Sequence, residues 1–447
     1  MLSRRVFIVG GHITPFIGKG SKLFIDKKHP DFGKKENPNL EHYVNASVQG
    51  ALSNTNVAPE LLDKAIIGNF ASELFSNQGT WYIPLFYPYV YHDVILSFFI
   101  FMTSIAGHLG PLIPGANPAL RFIPAYRVEG ACASGGLAYA NAIDSILAGN
   151  DVVMAVGAEV QTTVSPRQGG DFLARASHYS RQRGLDDFTF PALFARRMKA
   201  YCEAYGVTPA DIAPVSVKAY ANGNLNELAH MHSIKMTLEQ AATASDRNPN
   251  FLGNPELTNW LKVSDCSQVS DGGAALILAS EEGLRKMGKS PADCVEVVSY
   301  AIGADNLTVD GPYTKMETST FVAQKALQRA NLTGSAIDVA EVHDCFNIAE
   351  VLQYEAIGWA KPGEGYKLAK DGVTNIDGKH PVNTGGGLIS FGHPVGATGI
   401  KQVLEVYRQM KRQCGKYQIA KDVKIGFTSN MGGDDKTSVC SVIKNVE

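Results

Sequence analysis

Short runs of β-branched and other apolar residues alternate along this chain with stretches whose apolar positions recur at helical spacing. Residues 5–10, 152–156 and 274–278 read as strands, and 295–302, 424–427 and 437–443 read as a second set in matching order. Residues 137–147 and 400–410 carry helical spacing. Two stretches echo one another: 51–56 followed by 61–67, and 326–331 followed by 336–342. In both, helix-forming residues end at an Asn, and an Asp (Asp63, Asp338) precedes an apolar strand. Strands alternating with helices predict an α/β protein whose mixed sheets are covered on both faces. The echo predicts a duplicated unit, two halves stacked with a cleft between them.

Two segments depart from this pattern. Residues 161–255 collect Arg167, Arg175, Arg181, Arg183, Arg196, Arg197, Lys199 and Lys218 among aromatic and polar positions, and read as an insertion, a cap over a site or a solvated helical excursion. Residues 94–106 form a very apolar run bracketed by Asp93 and His108. The run is shorter than the roughly 18 to 20 residues that span a bilayer, so a buried element or a dimer contact is expected and a transmembrane span is not.

Composition narrows the partners. With 447 residues, 45% apolar and 19% charged, the chain can bury a large core. A formal net charge of -2 offers no general attraction to nucleic acid or anionic lipid. The seven cysteines are scattered and lack metal-type pair spacing, which suits reduced thiols and predicts no metal site. The start, Met1 to Arg5, is basic and free of acids, as a short mitochondrial leader would be. Arg5-Val6 followed by His12-Ile13 also resembles a peroxisomal address. A mitochondrial location is expected, with a peroxisome or glycosome as the alternative.

Four places carry candidate chemistry. Cys132, in Glu129-Gly-Ala-Cys-Ala-Ser-Gly-Gly136, precedes a helix, where free amides and the positive dipole end favour a thiolate and can hold an oxyanion. His393, in Gly392-His-Pro-Val-Gly-Ala-Thr-Gly399, stands in a glycine-rich turn and suits proton transfer near neutral pH. The glycines around it point to close packing against a ligand or another backbone. His343 and Cys345 follow an apolar strand at i and i+2, a spacing that shares a face if the strand continues. Finally Asn430-Met-Gly432-Gly433 follows another strand, and Gly432 could present a backbone donor to an oxyanion.

Together these motifs resemble the thiolase superfamily over nearly the whole chain. Cys-Ala-Ser-Gly135 matches its nucleophile motif, Gly392-His-Pro394 with Gly396-Ala-Thr-Gly399 its histidine loop, and residues 264–274 the turn closing its first half. His343-Asp-Cys-Phe346 stands where most members have Asn-Glu-Ala-Phe, and Asn430 where most have a second catalytic cysteine. Both departures resemble the sterol-carrier-protein type of thiolase, and the insertion near residues 80–110 looks like that of trypanosomatid members. The resemblance implies a thiolase fold: two duplicated βαβαβαββ domains in a five-layer α-β-α-β-α sandwich, with residues 1–160 and 256–290 in the first core, 161–255 as an inserted loop domain and 291–447 in the second core.

The same resemblance implies roles. Cys132 accepts the acyl group, His393 activates it, and His393 with His343 holds the thioester oxyanion. Amides of Cys132 and Gly432 form a second oxyanion site, and Cys345 replaces the missing proton-carrying cysteine. It also implies a homodimer with acyl-CoA and coenzyme A as substrates and no permanently bound cofactor, cleaving or forming 3-ketoacyl-CoA in lipid metabolism. Two other functions fit some of the residues: a decarboxylating ketoacyl synthase, which also uses a Cys-His-His site, and a non-catalytic acyl-CoA or lipid-binding protein on the same scaffold.

Overall fold

The computed structural model describes residues 2–77 and 108–446, with the backbone of a short ladder pairing Val90–Tyr91 and Val94–Ile95. Beyond that ladder, the apolar run at 94–106 lies outside the described residues. Among the described residues, no helix is long and apolar enough to cross a membrane.

Strands β1 (Phe7–Ile13), β2 (Lys64–Gly68), β3 (Ala125–Val128), β4 (Val152–Glu159) and β5 (Gly272–Ala279) lie side by side in the order β3-β2-β4-β5-β1. Strands β6 (Val295–Ala304), β7 (Val339–Glu341), β8 (Ile425–Gly432) and β9 (Thr437–Asn445) continue the sheet as β6-β9-β8-β7. The pairing repeats between halves. β2 runs parallel to β4 and β7 to β8, while β4-β5-β1 and β8-β9-β6 are antiparallel. Val382, bridged in parallel to Ala340, stands where β3 stands in the first half. The halves meet edge to edge through Phe7 with Glu296 and Ile8 with Val295.

The helices that matter to the site are α1 (Leu40–Thr55), α2 (Ser134–Leu147), α3 (Thr189–Tyr205), α4 (Pro209–Gly223), α5 (Glu317–Arg329), α6 (Asn347–Ile357) and α7 (Val395–Met410). The sequence echo has a physical cause. Asn56 after α1 and Asn331 after α5 both adopt the left-handed conformation, φ 52° and 55°, which Asn tolerates better than most residues. Asp63 accepts from the amides of Asp151 and Val152 at 2.7 and 2.9 Å, and Asp338 from those of Lys424 and Ile425 at 2.9 Å each. Each Asp thus ties the start of its strand to the start of the next.

Side-chain alternation builds the layers. Phe7, Val9, Met154, Val156 and Ile277 pack beneath α1. Ile8, Val153, Ala155 and Leu276 face the other way, onto Tyr139 and Ile143 of α2 and Val403 and Leu404 of α7. Val297 and Ile443 of the second half close on the same two helices. Phe427, Cys440 and Val442 turn outward to Val322 and Leu327 of α5 and Leu352 of α6. The order is helix, sheet, helix, sheet, helix. Because α7 is buried on every side, its Lys401 must be neutralised internally, and Glu341 accepts from it at 2.9 Å with both side chains 1% exposed.

Within residues 161–255, Phe172 still packs against Phe75 of the first half and His230 meets Ser270 at 2.8 Å, while α3 and α4 settle on the second half. Leu193, Phe194 and Tyr201 of α3 and Val215 of α4 share the outer core of β8, β9 and α6. Two of the basic residues noted there are internal. Arg197 pairs with Asp434 and donates to Lys315 O at 2.8 Å, and Lys218 pairs with Glu350. At the chain start, Arg4 pairs with Asp151, and Arg5 with Glu281 and Glu296 at 2.9 Å each.

The helix expected from residue 400 begins at Val395, because Gly396 and Gly399 belong inside it. They are crossing points: a methyl on Gly135 of α2 would stand 2.7 Å from Gly396 O and 2.9 Å from Gly399 N. A methyl on Gly399 would strike the Gly136 amide and the Asn430 carboxamide. Helix propensity alone favours Gly399→Ala by about 1 kcal/mol, but overpacking of this kind costs about 1–3 kcal/mol. Gly399→Ala is therefore expected to lower the urea midpoint, whereas Gly184→Ala, which meets open space, leaves it unchanged. An equal or raised midpoint for Gly399→Ala would show that the crossing has slack.

Candidate active site

Cys132 lies in the single turn Ala131–Ala133 that leads into α2. Ala131 is left-handed, φ 53°, a conformation that costs a non-glycine residue roughly 1–2 kcal/mol. Ser134 secures the turn: its hydroxyl accepts from Gly130 N at 3.0 Å and donates to Ala131 O at 2.6 Å. Gly432 closes against it, since a methyl there would strike Gly130 O and crowd Ala133. The amides of Gly433 and of Cys132 itself reach the Cys132 thiol.

The sheet brings two histidines to this turn. His343 follows β7, His393 precedes α7, and their rings meet edge to face at 5.1 Å. One ligating atom each of Cys132, His343 and His393 lies within 4.8 Å of the others. Cys345 is outside this trio; burial holds its thiol well above the usual range, and a charge on nearby Cys132 pushes it further up. The strand ends at Glu341, so His343 and Cys345 sit in a loop and do not share a strand face. Asp344 fixes that loop, accepting from Leu388 N at 2.7 Å and Ile389 N at 3.4 Å, shortly before His393.

Three further side chains hold the trio. His393 Nδ1 is 2.6 Å from Thr398 Oγ1, which donates to Pro394 O at 3.1 Å. With the hydroxyl proton on that carbonyl, Nδ1 carries the ring proton, and Nε2, buried and without a partner, is a bare lone pair. Asn430 Oδ1 accepts from Gly136 N at 3.0 Å, and its Nδ2 reaches Cys132 O and His343 Nδ1, each at 3.1 Å. Glu159, at the end of β4, accepts from the amides of Phe70, Ala71 and Gly396, and so fastens the start of α7 to the loop after β2. Sequence reasoning passed over Glu159, Asp344 and Thr398. A lone Glu closing the apolar run 152–158 was the available signal.

Burial governs the electrostatics. It pushes the Cys132 thiol up to about 12, and the Gly433 amide recovers only part of that. The thiolate expected from a helix start is therefore not the resting form. Burial also holds His393 down at about 3 and, helped by His393, puts His343 well below the usual range. Separating a proton from Cys132 onto His393 in the closed site costs on the order of 10 kcal/mol before their mutual attraction is counted. The resting pair is therefore a neutral thiol beside a neutral imidazole. The trio has the donor types of a metal site as well as those of a nucleophile beside a base.

The lowered His393 value fixes a sign. Between its ordinary value near 6.5 and about 3, the unfolded chain binds a proton that the folded chain refuses, so this histidine contributes stability that falls as pH drops through that window. Wild type is expected to lose more stability than His393→Gln between pH 7 and pH 5 in urea titrations. Equal losses would mean that His393 is not held neutral.

Comparison with known proteins gives the same picture. Residues 306–445 match the family described as thiolase C-terminal domain-like. The acetyl-CoA acetyltransferase of Methanothermobacter thermautotrophicus is 34% identical over 412 residues, covering 92% of this chain and 96% of that protein. Sterol carrier protein 2 of Rattus norvegicus is 27% identical over 447 residues, covering 96% of this chain and 70% of that protein. The crystal structure of human mitochondrial 3-ketoacyl-CoA thiolase in complex with CoA superposes with a TM-score of 0.67 at 18% identity, over 99% of this chain and 98% of that one. The duplicated sheet, the paired central helices and a cysteine facing two histidines at their crossing have these relatives for a reason: the chain belongs to the thiolase superfamily.

Proposed function

We propose that this protein is an acyltransferase that cleaves or forms 3-ketoacyl-CoA through an acyl-Cys132 thioester, in lipid metabolism. The observation that carries the reading is the buried Cys132–His343–His393 cluster with the His393 Nε2 lone pair unpartnered. A relative named acetyl-CoA acetyltransferase and a fold neighbour solved with CoA support acyl-CoA as the substrate class. In the degradative direction the Cys132 proton passes to His393 Nε2 as the sulfur attacks the 3-keto carbon. The C2–C3 bond breaks, C2 takes a proton from the Cys345 thiol, and acetyl-CoA leaves. The thiol of a second CoA then attacks the acyl-sulfur carbonyl and takes the acyl group, and its proton and the one on His393 restore both cysteines. Dividing the exchange into two thioester steps lowers each barrier. His343 and the amides at Cys132, Gly432 and Gly433 face the carbonyl oxygens that become charged.

The acting form in this reading is a homodimer. Among the described residues, strand β3 ends the sheet with no neighbour on its outer edge, and Phe122 beside it is 85% exposed, features that suit contact with a second copy. A decarboxylating ketoacyl synthase is the second reading, favoured by the Cys-His-His geometry itself. Release of CO2 from malonyl-CoA separates the two.

With acetoacetyl-CoA and CoA, wild type should consume substrate, and Cys132→Ala should abolish turnover and any acyl adduct seen by mass spectrometry. His393→Asn should slow single-turnover acylation about 10²–10⁴-fold, the range of a general base. Cys345→Ala should stall turnover after Cys132 has been engaged. Full activity of Cys345→Ala would remove it as proton carrier. A wild type inert toward both short and long 3-ketoacyl-CoAs would favour a binding protein over an enzyme.

A further inference from the structure

Asn430 occupies the place where most of the superfamily has a second cysteine, and the proposed mechanism gives it no step. Its orientation is fixed by two backbone groups. The Gly136 amide can only donate, so the atom it meets at 3.0 Å is the carboxamide oxygen, and the Cys132 carbonyl can only accept, so the atom it meets at 3.1 Å is the NH2 group. Room for the carboxamide exists because α2 and α7 present glycine here: a methyl on Gly136 would stand 2.6 Å from Asn430 Oδ1, and one on Gly399 would overlap it. The NH2 group has two hydrogens. One goes to Cys132 O, and the other points at His343 Nδ1, 3.1 Å away.

A nitrogen that receives a hydrogen bond carries no proton of its own. We propose that Asn430 is a positioning residue that holds His343 in the tautomer with Nδ1 bare and the proton on Nε2, so that His343 serves as a hydrogen-bond donor to the substrate oxygen and not as a base. The inference rests on the thiolase reading only for the identity of that oxygen. The two histidines are then set oppositely by their neighbours. Thr398 places the ring proton of His393 on Nδ1 and frees its Nε2 to accept, while Asn430 frees Nδ1 of His343 and leaves its Nε2 to donate. Two chemically identical rings 5.1 Å apart thereby take unlike roles, base and electrophile, without a carboxylate on either. A cysteine at position 430 could not do this, because one thiol hydrogen cannot serve both Cys132 O and His343.

The test reads the tautomer directly. In full-length protein labelled with 15N-histidine, long-range proton–nitrogen correlations distinguish a protonated from a bare ring nitrogen, and the His343→Gln spectrum assigns the signal. Wild type is expected to show His343 with a bare Nδ1 and a protonated Nε2. In Asn430→Asp the Gly136 bond is kept but the side chain can no longer donate, so His343 Nδ1 should become protonated. Loss of one oxyanion donor should then lower kcat about 10²–10³-fold with KM little changed. A protonated Nδ1 in wild-type His343, or an Asn430→Asp enzyme whose kcat stays within about twofold of wild type, overturns the proposal. The wild-type spectrum decides the tautomer whether or not the variant folds. It also needs no substrate, so absence of turnover on 3-ketoacyl-CoA would sink the proposed function and leave this result standing.

Discussion

The crossing of two glycine-faced helices is the constraint on which the rest of the molecule depends. Helices α2 and α7 come from different halves of the chain, and backbone meets backbone where Gly135 and Gly136 face Gly396 and Gly399. Side chains of ordinary size would hold helix axes about 8–10 Å apart. Without them the starts of both helices converge, and each start carries one reacting group, Cys132 on one side and His393 on the other. The sheets, the Glu159 clasp on the α7 amide and the Lys401–Glu341 pair all serve to hold that crossing in a dry interior. Burial that brings these groups together also sets their resting state. A neutral thiol faces a neutral imidazole until a substrate supplies an oxygen able to take the charge.

Much of this was legible in the sequence, for reasons that can be named. Strands buried on both faces leave apolar runs, and helices leave their period, so most core strands could be read, whereas the short strand Ala125–Val128 and the helix Asn347–Ile357 were not. The duplicated unit showed through Asn56 and Asn331, and through Asp63 and Asp338, because a left-handed helix end and a strand-to-strand tie each restrict residue type. Cys132, His343 and His393 were found because nucleophile and base chemistry admits few side chains, and the structure does bring those three together.

What stayed hidden was either relational or energetic. Asn430 looked like a lost cysteine, and its three bonds reach residues 298, 294 and 87 positions earlier in the chain. Asp344 and Glu159 act on amides of distant loops, and an amide has no letter in the sequence. The start of α7 was misplaced because glycines beside a histidine read as loop when they were in fact the contact face of a helix. The thiol of Cys132 was expected to ionise from its place before a helix, but the desolvation that outweighs this depends on layers that only the assembled fold supplies.

The settling of α3 on the second half has a consequence for synthesis. Leu193, Phe194, Met198 and Tyr201 find their partners in α6 and in strands near the end of the chain. A growing polypeptide leaves the ribosome from its first residue onward, at about 5–20 residues per second. The greasy face of α3 must therefore wait for well over a hundred further residues before it can be covered. During that interval the nascent chain carries a sticky, native-to-be surface that α4 and its neighbours cover only in part. Chaperone occupancy on ribosome-bound chains should accordingly peak between completion of α3 and emergence of β9, a delay written into the order in which the elements appear.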